Sequence, residues 1–238
     1  MKNDPTFAEL WDECLRNLMY HSISDYIDHI ELLFRITGAT KSSHILDTCA
    51  GTGFPALHLR ARGYSVDCMD ASDDMIALFL KKAAKEHLPA AITKMRWEQL
   101  PGHFEAETYD LLLCRGNSFV YAAGGWMSEQ AQTREASMSA YIDTLKKFRS
   151  MLKKEGFLYI DKWKDSEVEG RHVIGPEIHF EVTRPEPHTR KARLIAEDSG
   201  RKTVFPASAY ALSEAELEEL ILDAGFRSCD KIDIPSEH

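Results

Sequence analysis

Two glycines and two acids near residue 50 have the types and spacing to bind a polar ligand. In the stretch HILDTCAGTGFPALHLRARGYSVDCMDASDDM, from His44 to Met75, an apolar run leads through Asp47 into Ala50, Gly51 and Gly53. A second apolar run then ends in Asp70. Glycine lets backbone approach a ligand closely and take dihedrals that a side chain forbids. A carboxylate at the end of the following strand can accept both hydroxyls of a ribose. The pattern predicts a site for a ligand that carries a nucleoside.

Such a site needs particular elements to hold it. "HILDTCA" reads as a first strand, "FPALHLRARG" as a helix with Pro55 in its first turn, and "YSVDCMDA" as a second strand. "SDDMIALFLKKAAKEH" is a helix capped by Ser72 or Asp73. "TKMRWEQL" gives a third strand and its exit loop, "YDLLLCRG" a fourth strand, residues 135–153 an amphipathic helix and "GFLYIDKW" a fifth strand. This alternation predicts an α/β fold: a parallel, Rossmann-like sheet with helices on both faces. Upstream, apolar residues at helical spacing from Phe7 to Thr37 predict two helices, closed by Gly38. Residues 166–210 change character, with short alternating runs broken by Pro and Gly that predict a small antiparallel β insertion covering the active site. "SEAELEELILDAGF" is a helix with a capping box from Ser213 to Glu216, and "RSCDKIDI" is read as a last strand. The expected division is an N-terminal lid or arm over 1–40, a nucleoside-binding domain over 41–165 and 210–238, and the insertion over 166–209. The ending "IDIPSEH" comes soon after that last strand, and the completeness of the C-terminus stays open.

Two cofactors compete for the glycine loop. A dinucleotide fingerprint reads GxGxxG, and here the third position is Ala56, a permitted variant. Asp47, however, stands four residues ahead of Gly51, where it would face a pyrophosphate unfavourably. The same acid suits the cationic amino-acid end of S-adenosylmethionine (SAM), so SAM is favoured over a nicotinamide.

The pieces "ILDTCAGTGFPALHLRARGYSVDCMDASDDM", the Trp of "MRWEQL", "LLLCRGNSFVYA" and "KKFRSMLKKEGFLYID", together spanning about residues 44–161, resemble class I SAM-dependent methyltransferases. Within that class the chain is similar to the glycine N-methyltransferase and glycine/sarcosine methyltransferase group. The resemblance implies SAM as cofactor, S-adenosylhomocysteine (SAH) as product, and no metal. It also implies roles position by position. Ala50, Gly51 and Gly53 line the methionine part of SAM, and Asp70 holds the ribose. Ala71 and Met75 flank the adenine, with Arg96 and Trp97 along its edge. Arg115 contributes backbone near the sulfonium, and Asn117 faces the substrate. Oligomeric relatives imply that the first thirty or so residues could reach another subunit of a homo-oligomer.

The departures concern the acceptor. Glycine-methylating relatives continue the fifth strand as "IDHRNYD", with an arginine for the substrate carboxylate, whereas this chain has "IDKWKD" and Trp163 in that place. The histidine those relatives carry after "GNSF" is Tyr121 here. An indole cannot imitate a bidentate guanidinium. Trp163 and Tyr121, near Trp97 or Trp126, suit a flat acceptor held by stacking, such as the azapteridines of toxoflavin-type N-methyltransferases. No His–Asp pair stands out as a base, which favours a nitrogen acceptor over an oxygen. Asn117 and Tyr121 are the expected acceptor-orienting residues. Alternatives are glycine-type amine methylation, O-methylation, a non-catalytic SAM-binding protein and an NAD-dependent oxidoreductase.

Bulk properties bound the remaining classes. The chain has 238 residues, 44% hydrophobic and 28% charged, enough for a buried core. A formal charge of -9 disfavours nucleic acid as a partner. Five scattered cysteines without a CxxC pair read as reduced core thiols. No signal-like leader or membrane-length apolar run is visible, so a cytoplasmic protein with no membrane partner is expected. His103, His172, His179 and His188 lack metal-ligand spacing.

Overall fold

The computed structural model describes residues 5–16, 23–162, 169–198 and 201–232. Its centre is a five-stranded parallel sheet in the order β3-β2-β1-β4-β5. The strands are β1 (Ile45–Asp47), β2 (Val66–Asp70), β3 (Thr93–Lys94), β4 (Tyr109–Cys114) and β5 (Leu152–Ile160). β1 and β4 are buried through almost their whole length, as expected of strands covered on both faces.

Helices complete the layers. α3 (Ala56–Ala61) and α4 (Asp73–Lys85) follow β1 and β2. α2 (Ile23–Thr37) supplies Ile27, Ile30 and Phe34 to a core with Leu57, Leu59, Phe79 and Leu111. On the other face α5 (Arg134–Met151) and α6 (Glu214–Asp223) pack Tyr141, Leu145, Phe148 and Leu220 against Leu46, Leu112 and Leu152. The predicted caps are present: Ser72 Oγ accepts from the Met75 N–H, and Ser213 and Glu216 form a reciprocal capping box.

Residues 170–198 and 201–210 form a separate antiparallel sheet of four strands, β6 (Gly170–Gly175), β7 (Ile178–Glu186), β8 (Thr189–Asp198) and β9 (Arg201–Tyr210). One face carries Phe180, Val182, Ala192, Leu194 and Ala207 in alternation and packs on α1 (Phe7–Cys14) through Phe7, Leu10 and Cys14.

The sequence misleads at three places. The third strand is only two residues long, and Trp97–Gln99 is a one-turn 3₁₀ helix. No strand forms over residues 227–232; the rest of "RSCDKIDI" lies outside the described residues. There the Arg227 guanidinium grips the Glu155 carboxylate of β5 by two 2.7 Å bonds and reaches the Lys154 carbonyl at 3.5 Å. Alternating residues need a ladder partner to become a strand, and this run has none among the described residues. Cys229 is accordingly exposed, unlike Cys14, Cys68 and Cys114, which are buried. Burial pushes the Cys14 thiol up to about 12.

Candidate active site

The strand order reverses between β1 and β4, and ligands in open α/β sheets bind beyond the carboxyl ends at such a point. The loops leaving β1, β2 and β4 meet there. Ala50 anchors the first loop, its N–H donating to the Met69 carbonyl at 3.0 Å. Gly51 and Gly53 both have positive φ, +53° and +101°. At Gly53 a Cβ would stand 2.6 Å from Leu57 Cδ1, so the loop lies tight on α3 and only glycine fits.

Asp70 closes this loop from the side. Its Oδ2 accepts from the Gly51 N–H at 2.8 Å and its Oδ1 from the Ser72 N–H at 2.8 Å. Burial raises its pKa, opposed by those backbone donors. Carboxylate oxygens accept more than one hydrogen bond each, so an acid fixed in this way can also receive ribose hydroxyls. Asp47 is deeper, about 1% exposed, and accepts from the Cys49 N–H at 3.2 Å. Burial pushes its carboxyl up to about 6, with Arg115 and the Cys49 N–H holding it lower than burial alone would. Met75 is buried between the loop and α1, its Sδ 3.9 Å from where a Gly51 Cβ would be. Ala71 and Arg96 are exposed at the rim. Trp97 donates its indole N–H to the Thr48 carbonyl at 2.7 Å and packs edge-on to Phe148 at 5.5 Å, which spends its polar atom on the β1 loop.

The β4 loop makes the other wall. Asp161, at the end of β5, accepts from the Gly116 and Asn117 N–H groups at 2.9 and 2.7 Å. Asn117 is buried with φ +55°, a left-handed conformation that asparagine tolerates. The Arg115 N–H donates to Cys49 Sγ at 3.1 Å, while its guanidinium donates to the Tyr26 hydroxyl and lies 4.6 Å from that ring. Tyr121 packs edge-on to Trp126 at 5.1 Å. Burial raises the Tyr121 pKa, only partly offset by Arg190, so at neutral pH it is a phenol that donates and not a base. Trp163 lies outside the described residues.

Thus Asp47, Ala50, Gly51, Gly53, Asp70 and Met75 gather at the β1 and β2 ends, Arg115, Asn117 and Tyr121 follow β4, and Trp97 is tied to the β1 loop through Thr48. Sequence reasoning passed over Asp161, Tyr26 and Arg190. An acid ending the fifth strand was a usable signal for Asp161; Tyr26 and Arg190 carried none, because their neighbours come from distant segments. Among the described residues no group of three or more His, Cys, Asp or Glu could hold a metal ion. His188 instead stacks on Tyr210 and His103 on the edge of Phe104.

A family model described as a methyltransferase domain matches residues 45–156, which carry all of β1 to β4 and both site walls up to β5. Over that stretch, a little under half of its length, the chain is similar to methyltransferase domains. The glycine/sarcosine/dimethylglycine N-methyltransferase of Actinopolyspora halophila is 26% identical over 237 residues, covering 94% of this chain and 37% of that protein. Human glycine N-methyltransferase is 32% identical over 126 residues, 49% of this chain and 39% of that one. The chain therefore spans less than half the length of these curated relatives. A SAM-dependent methyltransferase structure from Clostridium acetobutylicum superposes with TM-score 0.69 at 16% identity over 90% of this chain and 85% of that one. Streptomyces venezuelae DesVI does so with TM-score 0.65 at 16% identity, covering 94% and 92%. The chain thus shares the Rossmann-like fold of these methyltransferase structures.

Proposed function

We propose that the chain transfers a methyl group from SAM to a nitrogen of a small planar molecule. The observation that carries the reading is the cradle at the β1 and β2 ends, where Gly51 donates to Asp70 in a turn that at Gly53 has no room for a side chain. Asp70 would hold the ribose, the loop at Ala50–Gly53 the methionine part, Asp47 the side with the ammonium, and Met75 the adenine. Bound there, SAM supplies a methyl group activated on a sulfonium. The protein's own task is alignment and exclusion of water.

Asp161 fixes Gly116 and Asn117 so that the β4 loop presents a rigid wall. Tyr121, kept neutral, orients the acceptor as a hydrogen-bond donor. Phe7, Trp126 and Tyr121 form a chain of ring contacts at 4.8 and 5.1 Å on the acceptor side. That aromatic surface supports a flat acceptor over a small aliphatic one. A second reading, methylation of a carboxylate-bearing amine, draws on Arg190. This cation of β8 is only 2% exposed and close enough to Tyr121 and Tyr141 to offset part of the rise that burial gives both their pKa values.

The test is SAH formation with a panel of planar heteroaromatics, glycine and sarcosine, with products identified by mass. Turnover of a heteroaromatic alone supports the first reading, and turnover of the amino acids alone replaces it with the second. Asp70→Ala should weaken SAM binding at least about tenfold, the loss of one charged hydrogen-bonding site. Undiminished SAM binding by that variant, read by calorimetry, would remove the cradle from the argument.

A further inference from the structure

Helix α1 hides one acid among apolar residues. In FAELWDEC, Phe7, Ala8, Leu10 and Cys14 are buried, and so is Asp12, at 7% exposure. A buried carboxylate is costly unless it is met by donors, and Asp12 is met by three. Its Oδ1 accepts from Thr52 Oγ at 2.7 Å and from Lys82 Nζ, and Arg16 sits 3.3 Å from its Oδ2. Lys82 also reaches Thr52 Oγ at 3.3 Å.

These partners lie on the cofactor side of the site. Thr52, 2% exposed, stands between Gly51 and Gly53, and Gly51 donates to Asp70. Lys82 belongs to α4, the helix that also carries Met75. One carboxylate therefore ties α1 to the glycine loop and to the helix behind it. The same α1 is bound to the acceptor side. Phe7 packs 4.8 Å from Trp126 and 5.6 Å from Phe205, and Trp11 lies 6.3 Å from Phe180 of the antiparallel sheet. Trp126 in turn touches Tyr121.

We propose that Asp12 is a positioning residue that couples the seating of α1 to occupancy of the glycine loop. The inference rests on the cofactor reading above. A loop conformation favoured by the ligand favours the Asp12–Thr52 bond, and by linkage a seated α1 favours the ligand equally. Seating α1 brings Phe7 and Trp11 beneath the antiparallel sheet and closes the wall that Trp126 and Tyr121 share. A purely architectural tie would stabilise the fold without responding to ligand.

The experiment compares the unsubstituted chain with Asp12→Asn and Lys82→Met by calorimetry with SAH and by hydrogen exchange of the amides in residues 7–14. In the unsubstituted chain SAH should bind and slow exchange in α1. Asp12→Asn keeps an acceptor for Thr52 but loses the charge. It should bind SAH about tenfold more weakly, lose the SAH-dependent protection of α1, and show a raised KM for SAM with kcat retained at saturation. Lys82→Met, altered at a side chain 28% exposed, should move the same way and carries the test if Asp12→Asn fails to fold. Variants that lower only the melting temperature, with SAH affinity and α1 protection intact, overturn the coupling and leave the cofactor reading standing. Failure of the unsubstituted chain to bind SAH removes both.

Discussion

Asp47 is the residue whose chemistry is most sensitive to its surroundings. Burial pushes its carboxyl up to about 6, with Arg115 and the Cys49 N–H acting in the opposite direction. An unfolded aspartate ionises near pH 3.9, so the folded chain holds this proton longer. Its contribution to stability is complete below about pH 4 and is lost as pH rises through about 6, staying constant beyond. On the proposed reading a ligand ammonium placed beside Asp47 favours the ionised form, so binding releases a proton. SAH affinity should then increase between about pH 5 and 7, with a midpoint near 6. Asp47→Asn should flatten much of that profile, the residual slope belonging to Asp70 and Asp161, whose pKa values burial also raises. Calorimetric titrations across this range check it; an unchanged slope in the variant would assign the proton elsewhere. The acids at 47 and 70 were visible in the sequence because they sit within one β-α-β unit, where chain connectivity alone fixes their spacing. Tyr121 was visible as a residue type, but its role as a buried phenol depends on Trp126 and Arg190 around it.

Elements were legible wherever their signals are local. Caps are the clearest case: Ser213 accepts from the Glu216 N–H at 3.1 Å, and the Glu216 carboxylate accepts from the Ser213 N–H at 3.0 Å. Ser213→Ala should cost about 1 kcal/mol and lower Tm by roughly 2–4 °C, measured by thermal unfolding, with catalysis untouched because the cap bonds of Ser213 go to Glu216 of its own helix. The periodicities of α1, α2, α4 and α5 and the glycine loop were equally readable. "RSCDKIDI" was not, since alternation says which residues share a face and nothing of whether a neighbouring edge is there to pair with. The short β3 has the same origin: Met69↔Thr93 and Asp70↔Lys94 exhaust its ladder, and Trp97 then turns inward to reach Thr48.

At the scale of the whole molecule, the joint between the β4 loop and the antiparallel sheet is a backbone contact. Gly125, at φ +87°, accepts from the Ser208 N–H at 2.9 Å, and a Cβ there would lie 1.7 Å from the Ser208 carbonyl oxygen. Neither backbone can yield as a side chain would. Gly125→Ala should therefore destabilise the chain by at least about 2 kcal/mol. In protein that still folds it should raise the acceptor KM more than the SAM KM, since Trp126 is displaced while the glycine loop is not. Denaturant titration and steady-state kinetics check both; equal effects on the two substrates would mean that the antiparallel sheet does not shape the acceptor pocket. No helix among the described residues is long and apolar enough to cross a membrane.

The sequence by itself determined the order of strands and helices, the glycine turn, and the acid that ends the next strand, because each depends on residues close along the chain. Tertiary structure alone decided that Asp12 meets Thr52 and Lys82, partners 40 and 70 residues away, and that Arg190 lies beside Tyr121. Periodicity reports that a face is buried; only packing in three dimensions chooses what it is buried against.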